Sequence, residues 1–395
     1  MTDTTRQPNA APKRIRVAVL FGGQSQEHAV SLASATSVMR ALDPARYEVV
    51  PIGITRTGRW LVAGDPLRQL RAGEAERESP GDGPEESMAL ATRAGAGSNV
   101  VELAGHAVGA VDVVFPVLHG PFGEDGTIQG LLELAGIPYV GAGVLGSALG
   151  MDKIAMKAVF AGYGLPVGPY IAVSRHEWEA DPAPVQRRAE AALGYPMFAK
   201  PANLGSSVGI SKIHGPAEFA PALQRAAQYD RRLLIEQGLD AREIECSVLG
   251  NDEPRASVCG EIVPRREFYD FRAKYLDDSS DLIIPADLPP AVSERVRALA
   301  VAAFRAIDAA GLARVDFFVR RNDGMVFVNE INTIPGFTAI SMYPKLWAAS
   351  GLSYAELVAR LIDLAIARHA DRRRPPTALA DDEDARTVGG QNLPV

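Results

Sequence analysis

Apolar runs alternate with segments of helical periodicity along the first third of the chain. The first run leads directly into Gly22 and Gly23, as a buried strand does where it enters a turn. Strands that alternate with helices predict a parallel sheet covered by helices. The predicted strands are residues 15–20, 47–54 and 112–118, and the predicted helices are residues 27–42 and 126–135.

The same alternation over the rest of the chain predicts two further small α/β units. The second unit begins with a predicted helix over residues 147–161, which carries Lys153. Its predicted strands are residues 167–173, 196–201, 210–213 and 233–236. The third unit has predicted strands at residues 243–249, 312–320 and 325–332, and predicted helices at residues 291–310 and 353–369.

Three segments lack this periodicity. Residues 64–97 are rich in Gly, Glu, Arg, Pro and Ser, which predicts a surface insertion that is partly disordered. Residues 1–14 are polar and lack the apolar stretch of a secretory signal. Residues 371–395 are also polar and aperiodic, which predicts a disordered tail.

Composition narrows the class of protein. The 395 residues suggest two or three domains, and 47% hydrophobic with 23% charged residues is typical of globular cores. A net charge of -7 argues against a protein that coats nucleic acid or an anionic membrane, because such binding needs a basic surface. The uncharged run at residues 134–151 contains Pro138 and several glycines, so we do not expect it to span a membrane.

Cysteine usage indicates a reducing compartment. Cys246 and Cys259 are the two cysteines of the chain, too few for a disulfide framework. The sequence contains neither a CxxC pair nor a Cys/His cluster with zinc spacing. These features predict a cytoplasmic protein.

A glycine loop at residues 203–209 follows a predicted strand that ends in Lys200. Ser206 and Ser207 lie between glycines, so backbone N–H groups would be able to approach an anion such as phosphate. A simple turn between two strands is the commoner explanation of such a loop. The P-loop and GxGxxG signatures are both absent, which disfavours the usual nucleotide-binding folds.

Two polar strands in the last third of the chain predict a hairpin. Arg314 and Asp316 lie on the first strand, Glu330 and Asn332 lie on the second, and a polar turn separates them. A three-residue loop would place Asp316 opposite Glu330, and a two-residue loop would need a compensating bulge to do the same. Two carboxylates and an amide oxygen on one face are ligands that Mg²⁺ prefers. A charged hairpin that faces solvent would contain the same residues.

Four other residues are candidates by position. Lys153 and Lys200 lie beside apolar stretches, His119 directly follows the strand predicted at residues 112–118, and Glu27 opens the first helix. Ligands gather at the carboxyl edge of an α/β sheet, where His119 falls. Each residue also has a common structural role, as a solvated lysine, a hydrogen-bonded histidine or an acid that complements the helix dipole.

Seven segments, taken together and in this order, resemble the D-alanine:D-alanine ligases of the ATP-grasp superfamily. The resemblance extends over about residues 14–370 and leaves the insertion and both tails unexplained. The ordered set is far more specific than any one segment. The segments are FGGQSQEHAVS, LHGPFGEDG, MDK, KPANLGSSVG, FYDFRAKY, RVDFF and NEINTIPGFTAISMYP.

This resemblance implies an α/β fold, α+β in part, with three domains and with ATP held between the central and C-terminal domains. The implied domains are residues 14–141, 142–234 and 235–370. ATP would phosphorylate the carboxylate of a first D-alanine, and the amine of a second D-alanine would attack the acyl phosphate. The resemblance also implies two Mg²⁺ ions, which Mn²⁺ can replace, and a homodimer that binds small molecules but neither nucleic acid nor membrane.

Individual residues match family positions. The implied ATP-binding residues are Lys153, Lys200, Ser207, Glu236, Leu239, Glu243 and Lys274, and the implied metal ligands are Asp316, Glu330 and Asn332. The implied substrate-binding residues are Glu27, His119, Ser341 and Met342. The implied catalytic residues are Glu27, Ser206, Tyr275, Arg314 and Gly336. Arg314 and the Gly336 N–H resemble oxyanion donors, and Tyr275 lies on a loop at residues 263–281 that would close over the site by bonding to Glu27 and Ser206.

Three alternatives stay open. D-Lactate or D-serine would replace the second D-alanine in related ligases, although Tyr275 favours the dipeptide. A non-catalytic ATP-grasp protein would bind nucleotide without turnover, and the intact set of candidate metal ligands argues against it. A Rossmann-type binding domain lacks its glycine fingerprint.

Overall fold

Four β-sheets organise the part of the chain that the computed structural model describes, residues 13–73, 91–93, 100–103, 106–264 and 280–373. The N-terminal elements are β1 (Ile15–Gly22), α1 (His28–Ala41), β2 (Tyr47–Ile54), β3 (Trp60–Leu61), α2 (Pro66–Ala72), β4 (Ala91–Arg93), β5 (Val100–Leu103), β6 (His106–Ala110), β7 (Val113–Pro116) and α3 (Thr127–Leu134). β2, β1 and β7 are parallel neighbours, and β3 pairs antiparallel with β2. β4, β5 and β6 form a separate antiparallel sheet.

Both faces of β1 are buried, as its continuous apolar run predicts. Val17, Val19 and Phe21 pack into one core together with residues of α1. Ala18 and Leu20 pack into a second core together with residues of α3. The parallel layer predicted for the first third is therefore confirmed, and its strands end at the edge where the polar loops begin.

The predicted insertion at residues 64–97 needs correction at its start. Residues 66–72 form α2, and Leu70 is buried in the core of the N-terminal sheet. Asp65 caps the helix by accepting a hydrogen bond from the N–H of Arg68, and Pro66 occupies the first turn. An aspartate cap and a proline in the first turn are both helix-start signals. They were overlooked because the segment as a whole lacks apolar periodicity. Residues 74–90 and 94–97 of the insertion lie outside the described residues.

The central unit is an antiparallel sheet with the strand order β10–β9–β11–β8. Its segment of the chain contains α4 (Val144–Met151), α5 (Lys153–Gly162), β8 (Tyr170–Ser174), α6 (Arg175–Ala180), α7 (Pro182–Leu193), β9 (Met197–Pro201), β10 (Ser211–Ile213), α8 (Pro216–Ala227) and β11 (Arg232–Gln237). The prediction of a single helix at residues 147–161 is wrong, because two helices, α4 and α5, occupy this segment. Asp152 ends α4 and caps α5, because its carboxylate accepts hydrogen bonds from the N–H groups of Ile154 and Ala155.

The C-terminal unit is a five-stranded antiparallel sheet with the strand order β14–β13–β12–β15–β16. Its elements are β12 (Ala241–Gly250), β13 (Arg255–Pro264), β14 (Ser280–Ile283), α9 (Pro290–Ala306), β15 (Gly311–Arg320), β16 (Val326–Asn332), α10 (Met342–Ala349) and α11 (Tyr354–Arg372). β13, β14 and α10 were not predicted. α11 continues to Arg372, inside the segment predicted as a tail, and residues 374–395 lie outside the described residues.

Helices connect the three units through shared cores. Leu357 and Leu361 of α11 lie in the core of the N-terminal sheet, beside α1. Met156 and Phe160 of α5 lie in the core under the C-terminal sheet. The domain boundaries stay a prediction. Within the described ranges, no helix is both long enough and apolar enough to cross a membrane.

Candidate active site

A cleft of ≈ 590 Å³ lies between the central and the C-terminal sheet. Its walls come from the glycine loop and β11 on one side and from β12 and β16 on the other. All but one of the predicted ATP-binding residues line this cleft: Lys153, Lys200, Ser207, Glu236, Leu239 and Glu243. The exception, Lys274, lies outside the described residues. The cleft also takes in Glu330 and Asn332 from the predicted metal set.

The glycine loop contacts the N-terminal unit at Glu27. Ser206 Oγ donates a hydrogen bond to Glu27 Oε1. A Cβ atom added at Gly205 would lie 3.2 Å from Glu27 Oε2, so the close approach favours glycine there. Ser206 and Ser207 have φ angles of 51° and 58°, in the left-handed region that residues other than glycine rarely adopt. The loop therefore holds an unusual backbone shape at the junction of two units.

Two lysines share one carboxylate in the wall of the cleft. Lys157 Nζ lies 2.7 Å from Glu236 Oε1, and Lys200 forms an ion pair with Glu236 Oε2. Burial acts to raise the pKa of Glu236, but the two ammonium groups outweigh it and hold this pKa at about 2. Burial likewise acts to lower the pKa of Lys200, and the Glu236 carboxylate raises it above its ordinary value. Lys200 and Glu236 are therefore both charged at neutral pH.

The hairpin of β15 and β16 has the predicted pairing but not the predicted loop. Asp316 lies opposite Glu330, and Arg314 lies opposite Asn332. The loop spans residues 321–324, so the three-residue loop is wrong. The register instead shifts at a bulge directly after Asp316, which is the compensating bulge that the alternative required.

Arg314 forms ion pairs with the buried carboxylate of Glu245 and the partly buried carboxylate of Asp316. Its Nε and Nη2 each lie 2.7 Å from an Asp316 oxygen, and Nε also lies 3.0 Å from Glu245 Oε2. The side chain of Arg314 is 16% exposed, that of Asp316 is 14% exposed and that of Glu245 is 7% exposed. Sequence analysis missed Glu245, although its place opposite Asp316 on β12 follows from the sheet register.

The oxygen ligands of the hairpin fit a hard divalent cation. Asp316 and Glu330 face each other from neighbouring strands, and Asn332 Nδ2 donates to Asp316 Oδ2 at 3.1 Å, so all three side chains meet at one place. Among the described residues, no group of three or more His, Cys, Asp or Glu side chains is arranged to hold a metal ion. The amide oxygen of Asn332 would therefore have to complete the set, and a cation would share Asp316 with Arg314.

Buried polar groups also meet where the N-terminal strands end. His119 Nδ1 lies 2.9 Å from the carbonyl of Ile334, and Nε2 lies 3.1 Å from Ser34 Oγ. The carbonyl can only accept, so Nδ1 carries a proton. Burial lowers the pKa of His119 and outweighs the nearby charge of Glu27, so the imidazole is neutral. His119 has structural hydrogen bonds at a position that also lies near Glu27.

Glu124 is a second acid at this place that sequence analysis missed. Its carboxylate oxygens accept hydrogen bonds from the N–H of Gly120 at 2.8 Å and from the N–H of Ile334 at 2.9 Å. Burial, followed by the charge of Glu27, raises the pKa of Glu124 to about 8. Glu124 belongs to the segment LHGPFGEDG, from which only His119 was selected, so the segment itself was the available signal.

Glu124→Gln should change the pH dependence of stability. Between the ordinary pKa of 4.5 and about 8, folded wild-type protein keeps a proton that the unfolded chain loses. The free energy of unfolding should therefore fall as pH rises through this window, by about 2–4 kcal/mol. The variant lacks this group, so its stability relative to wild type should improve from pH 5 to pH 8 in urea unfolding. Parallel pH profiles for the two proteins would contradict the raised pKa.

The remaining predicted residues lie in different surroundings. Ser341 Oγ lies 3.1 Å from the N–H of Thr338 and 3.1 Å from the place of a Cβ atom at Gly336. The Met342 side chain is buried with Leu346, so only its backbone is available to a ligand. Tyr275, together with residues 265–279 of the loop predicted to close over the site, lies outside the described residues.

Comparison with known proteins identifies the family. Residues 16–142 match the family model described as D-ala D-ala ligase N-terminus, and residues 159–363 match the model described as D-ala D-ala ligase C-terminus. The D-alanine–D-alanine ligase of Acetivibrio thermocellus is 50% identical over 367 residues, which cover 90% of this chain and 97% of that protein.

Solved structures agree with this match. The D-alanine-D-alanine ligase of Coxiella burnetii has a TM-score of 0.77 at 37% identity. The match covers 91% of this chain and 96% of that ligase chain. The VanG D-Ala:D-Ser ligase of Enterococcus faecalis has a TM-score of 0.77 at 34% identity. The match covers 89% of this chain and 100% of that ligase chain. The predicted α/β ATP-grasp fold is thereby confirmed. With both family models matched in order and half of the residues identical to a relative of similar length, the chain belongs to the D-alanine–D-alanine ligase family.

Proposed function

We propose that the chain joins two D-alanines into D-alanyl-D-alanine at the expense of ATP, for peptidoglycan precursor synthesis. The observation that carries this proposal is the cleft lined by lysines, the glycine loop and Glu330, which faces Asp316 across the hairpin. A polyphosphate needs cations and backbone N–H groups along one wall and ligands for a divalent metal along the other. Family membership supports the same reaction.

The side chains divide the work in this proposal. Lys153, Lys200 and the loop N–H groups hold the phosphates, and Glu27 accepts from the ammonium group of the first D-alanine. ATP phosphorylates the carboxylate of that D-alanine, with release of ADP. The amine of the second D-alanine then attacks the acyl phosphate, and phosphate leaves from a tetrahedral intermediate. Arg314 and the Gly336 N–H stabilise the oxyanion of that intermediate.

Magnesium belongs to the proposal as well. Asp316, Glu330 and Asn332 would hold Mg²⁺, or Mn²⁺ in its place, and the ion would neutralise phosphate charge. Two of these residues also contact basic side chains. Asp316 holds the Arg314 guanidinium in a bidentate pair, and Glu330 lies 4.0 Å from the Lys153 ammonium.

The context of the enzyme is also a proposal. We place it in the cytoplasm as a homodimer that binds ATP and D-alanine, with neither nucleic acid nor membrane as a partner. The net charge of -7 supports the absence of a nucleic-acid or anionic-membrane partner, and the homodimer is an expectation from the family. Sedimentation at micromolar concentration tests the dimer independently of the reaction.

An acceptor panel tests the reaction. Phosphate release from ATP is measured with D-alanine, L-alanine, D-alanine plus D-lactate, D-alanine plus D-serine and no amino acid, and products are identified by mass. Release that depends on D-alanine and yields the dipeptide supports the proposal. A mixed product as the main species would favour the D-lactate or D-serine alternative, the second of which the Enterococcus relative represents. Nucleotide binding without release in every case would indicate a non-catalytic ATP-grasp protein.

A further inference from the structure

Lys157 is a buried lysine in the cleft that the proposed function does not use. It lies on α5 four residues after Lys153, so the two side chains share one face of the helix. Its residue exposure is 2%, yet its Nζ donates to two groups. One is Glu236 Oε1 at 2.7 Å, and the other is the backbone carbonyl of Asn329 at 3.0 Å. Burying a lysine ammonium costs folding free energy unless the charge is paired, so a lysine buried this deeply calls for an explanation.

The shared carboxylate determines how much positive charge the cleft presents. Lys200 and Glu236 alone would form a neutral pair, in which the ammonium is directed at the carboxylate. With Lys157 bound to the other oxygen, the same carboxylate serves two ammonium groups, and the cluster has two positive charges against one negative charge. The excess charge lies beside the glycine loop, where the proposed function puts phosphate.

We propose that Lys157 is a positioning residue that competes with Lys200 for Glu236 and thereby keeps the Lys200 ammonium available to the phosphates of the nucleotide. This inference rests on the proposed function, because it needs ATP in the cleft. In this role Lys157 acts through Glu236 and Lys200 rather than on the substrate.

A purely structural role is the competing explanation. The Asn329 carbonyl belongs to the bulged stretch of β16, between the Asp316–Glu330 pair and the Phe317–Val328 pair. Lys157 would then matter as a hydrogen-bond donor that supports the bulge, and its charge would be unimportant. The two explanations differ in which property of the side chain is needed.

Four variants separate charge from hydrogen bonding. Lys157→Met removes both, Lys157→Gln keeps a donor without the charge, and Lys157→Arg keeps both. The double variant Lys157→Met with Glu236→Gln restores the excess positive charge of this cluster, because it removes one positive and one negative charge together, but it does not restore the bond to Asn329. Calorimetric titration with a non-hydrolysable ATP analogue and Mg²⁺, without D-alanine, measures nucleotide affinity directly.

We expect Lys157→Met and Lys157→Gln to weaken nucleotide binding about tenfold, which is the size of one charge-assisted hydrogen bond. Lys157→Arg should stay within about threefold of wild type, and the double variant should recover most of the lost affinity. In turnover assays the KM for ATP should rise more than kcat falls. Circular dichroism melts verify that each variant is folded.

Two results would overturn this role for Lys157. Wild-type affinity in Lys157→Gln would show that the donor suffices, and a double variant as weak as Lys157→Met would show that the charge balance is irrelevant. Both results presuppose that wild-type protein binds the analogue and makes the dipeptide. Failure of wild type to do either would instead count against the proposed function.

Discussion

Glu330→Gln should lower turnover by about a hundredfold or more and leave the fold intact. Glu330 faces Asp316 across the hairpin, and its side chain is 24% exposed at the cleft. The substitution keeps the shape of the side chain but removes one of the two facing carboxylates. A divalent cation would be held by one charge fewer, so the phosphates would keep charge that repels an approaching carboxylate.

The measurement pairs turnover with metal dependence. Steady-state rates are taken over a Mg²⁺ titration, and the affinity for the Mg²⁺–nucleotide complex is measured by calorimetry. Glu294→Gln is a matched control, because Glu294 is an exposed residue of α9 on the same C-terminal unit. A Glu330→Gln enzyme that reaches near-normal turnover at saturating Mg²⁺ would rule out the metal role of Glu330.

Local signals predicted most elements but not the contacts that modify them. The buried run of β1 and the alternation in β15 and β16 appear directly in the sequence, since strands place alternate residues on opposite faces. The predicted length of the hairpin loop was wrong because the strand register depends on a bulge at Asn329. The carbonyl of Asn329 accepts a hydrogen bond from Lys157, which lies on a helix distant in sequence. The break at Asp152 was missed because apolar periodicity continues across it.

The site was predicted through the order of its motifs rather than through any one residue. Lys200, Glu236 and Glu330 converge in the cleft as that order implied. Lys157 and Glu124 were missed because the sequence alone does not distinguish a buried lysine or glutamate from a solvent-exposed one. Their partners lie far along the chain, and only the fold brings these groups together.

Arg314→Met is expected to destabilise the protein by about 3–5 kcal/mol and to abolish measurable turnover. The substitution leaves Asp316 and Glu245 as two carboxylates in the interior of the sheet without their guanidinium partner. An orphaned buried charge costs far more than an exposed ion pair is worth. Arg188→Met is the contrasting control. Arg188 pairs with Glu177 at the surface at 2.8 Å, and its loss should cost at most about 1 kcal/mol.

A second substitution separates the stability of this cluster from its chemistry. Glu245→Gln in the Arg314→Met background removes one of the two carboxylates that lost the guanidinium, so urea unfolding should recover part of the lost free energy while turnover stays absent. The deficit of the single variant should also shrink as pH falls, because protonation neutralises the carboxylates that have lost the guanidinium charge. Recovery of turnover together with stability would mean that Arg314 only holds the sheet together, and its role as an oxyanion donor would have to be abandoned.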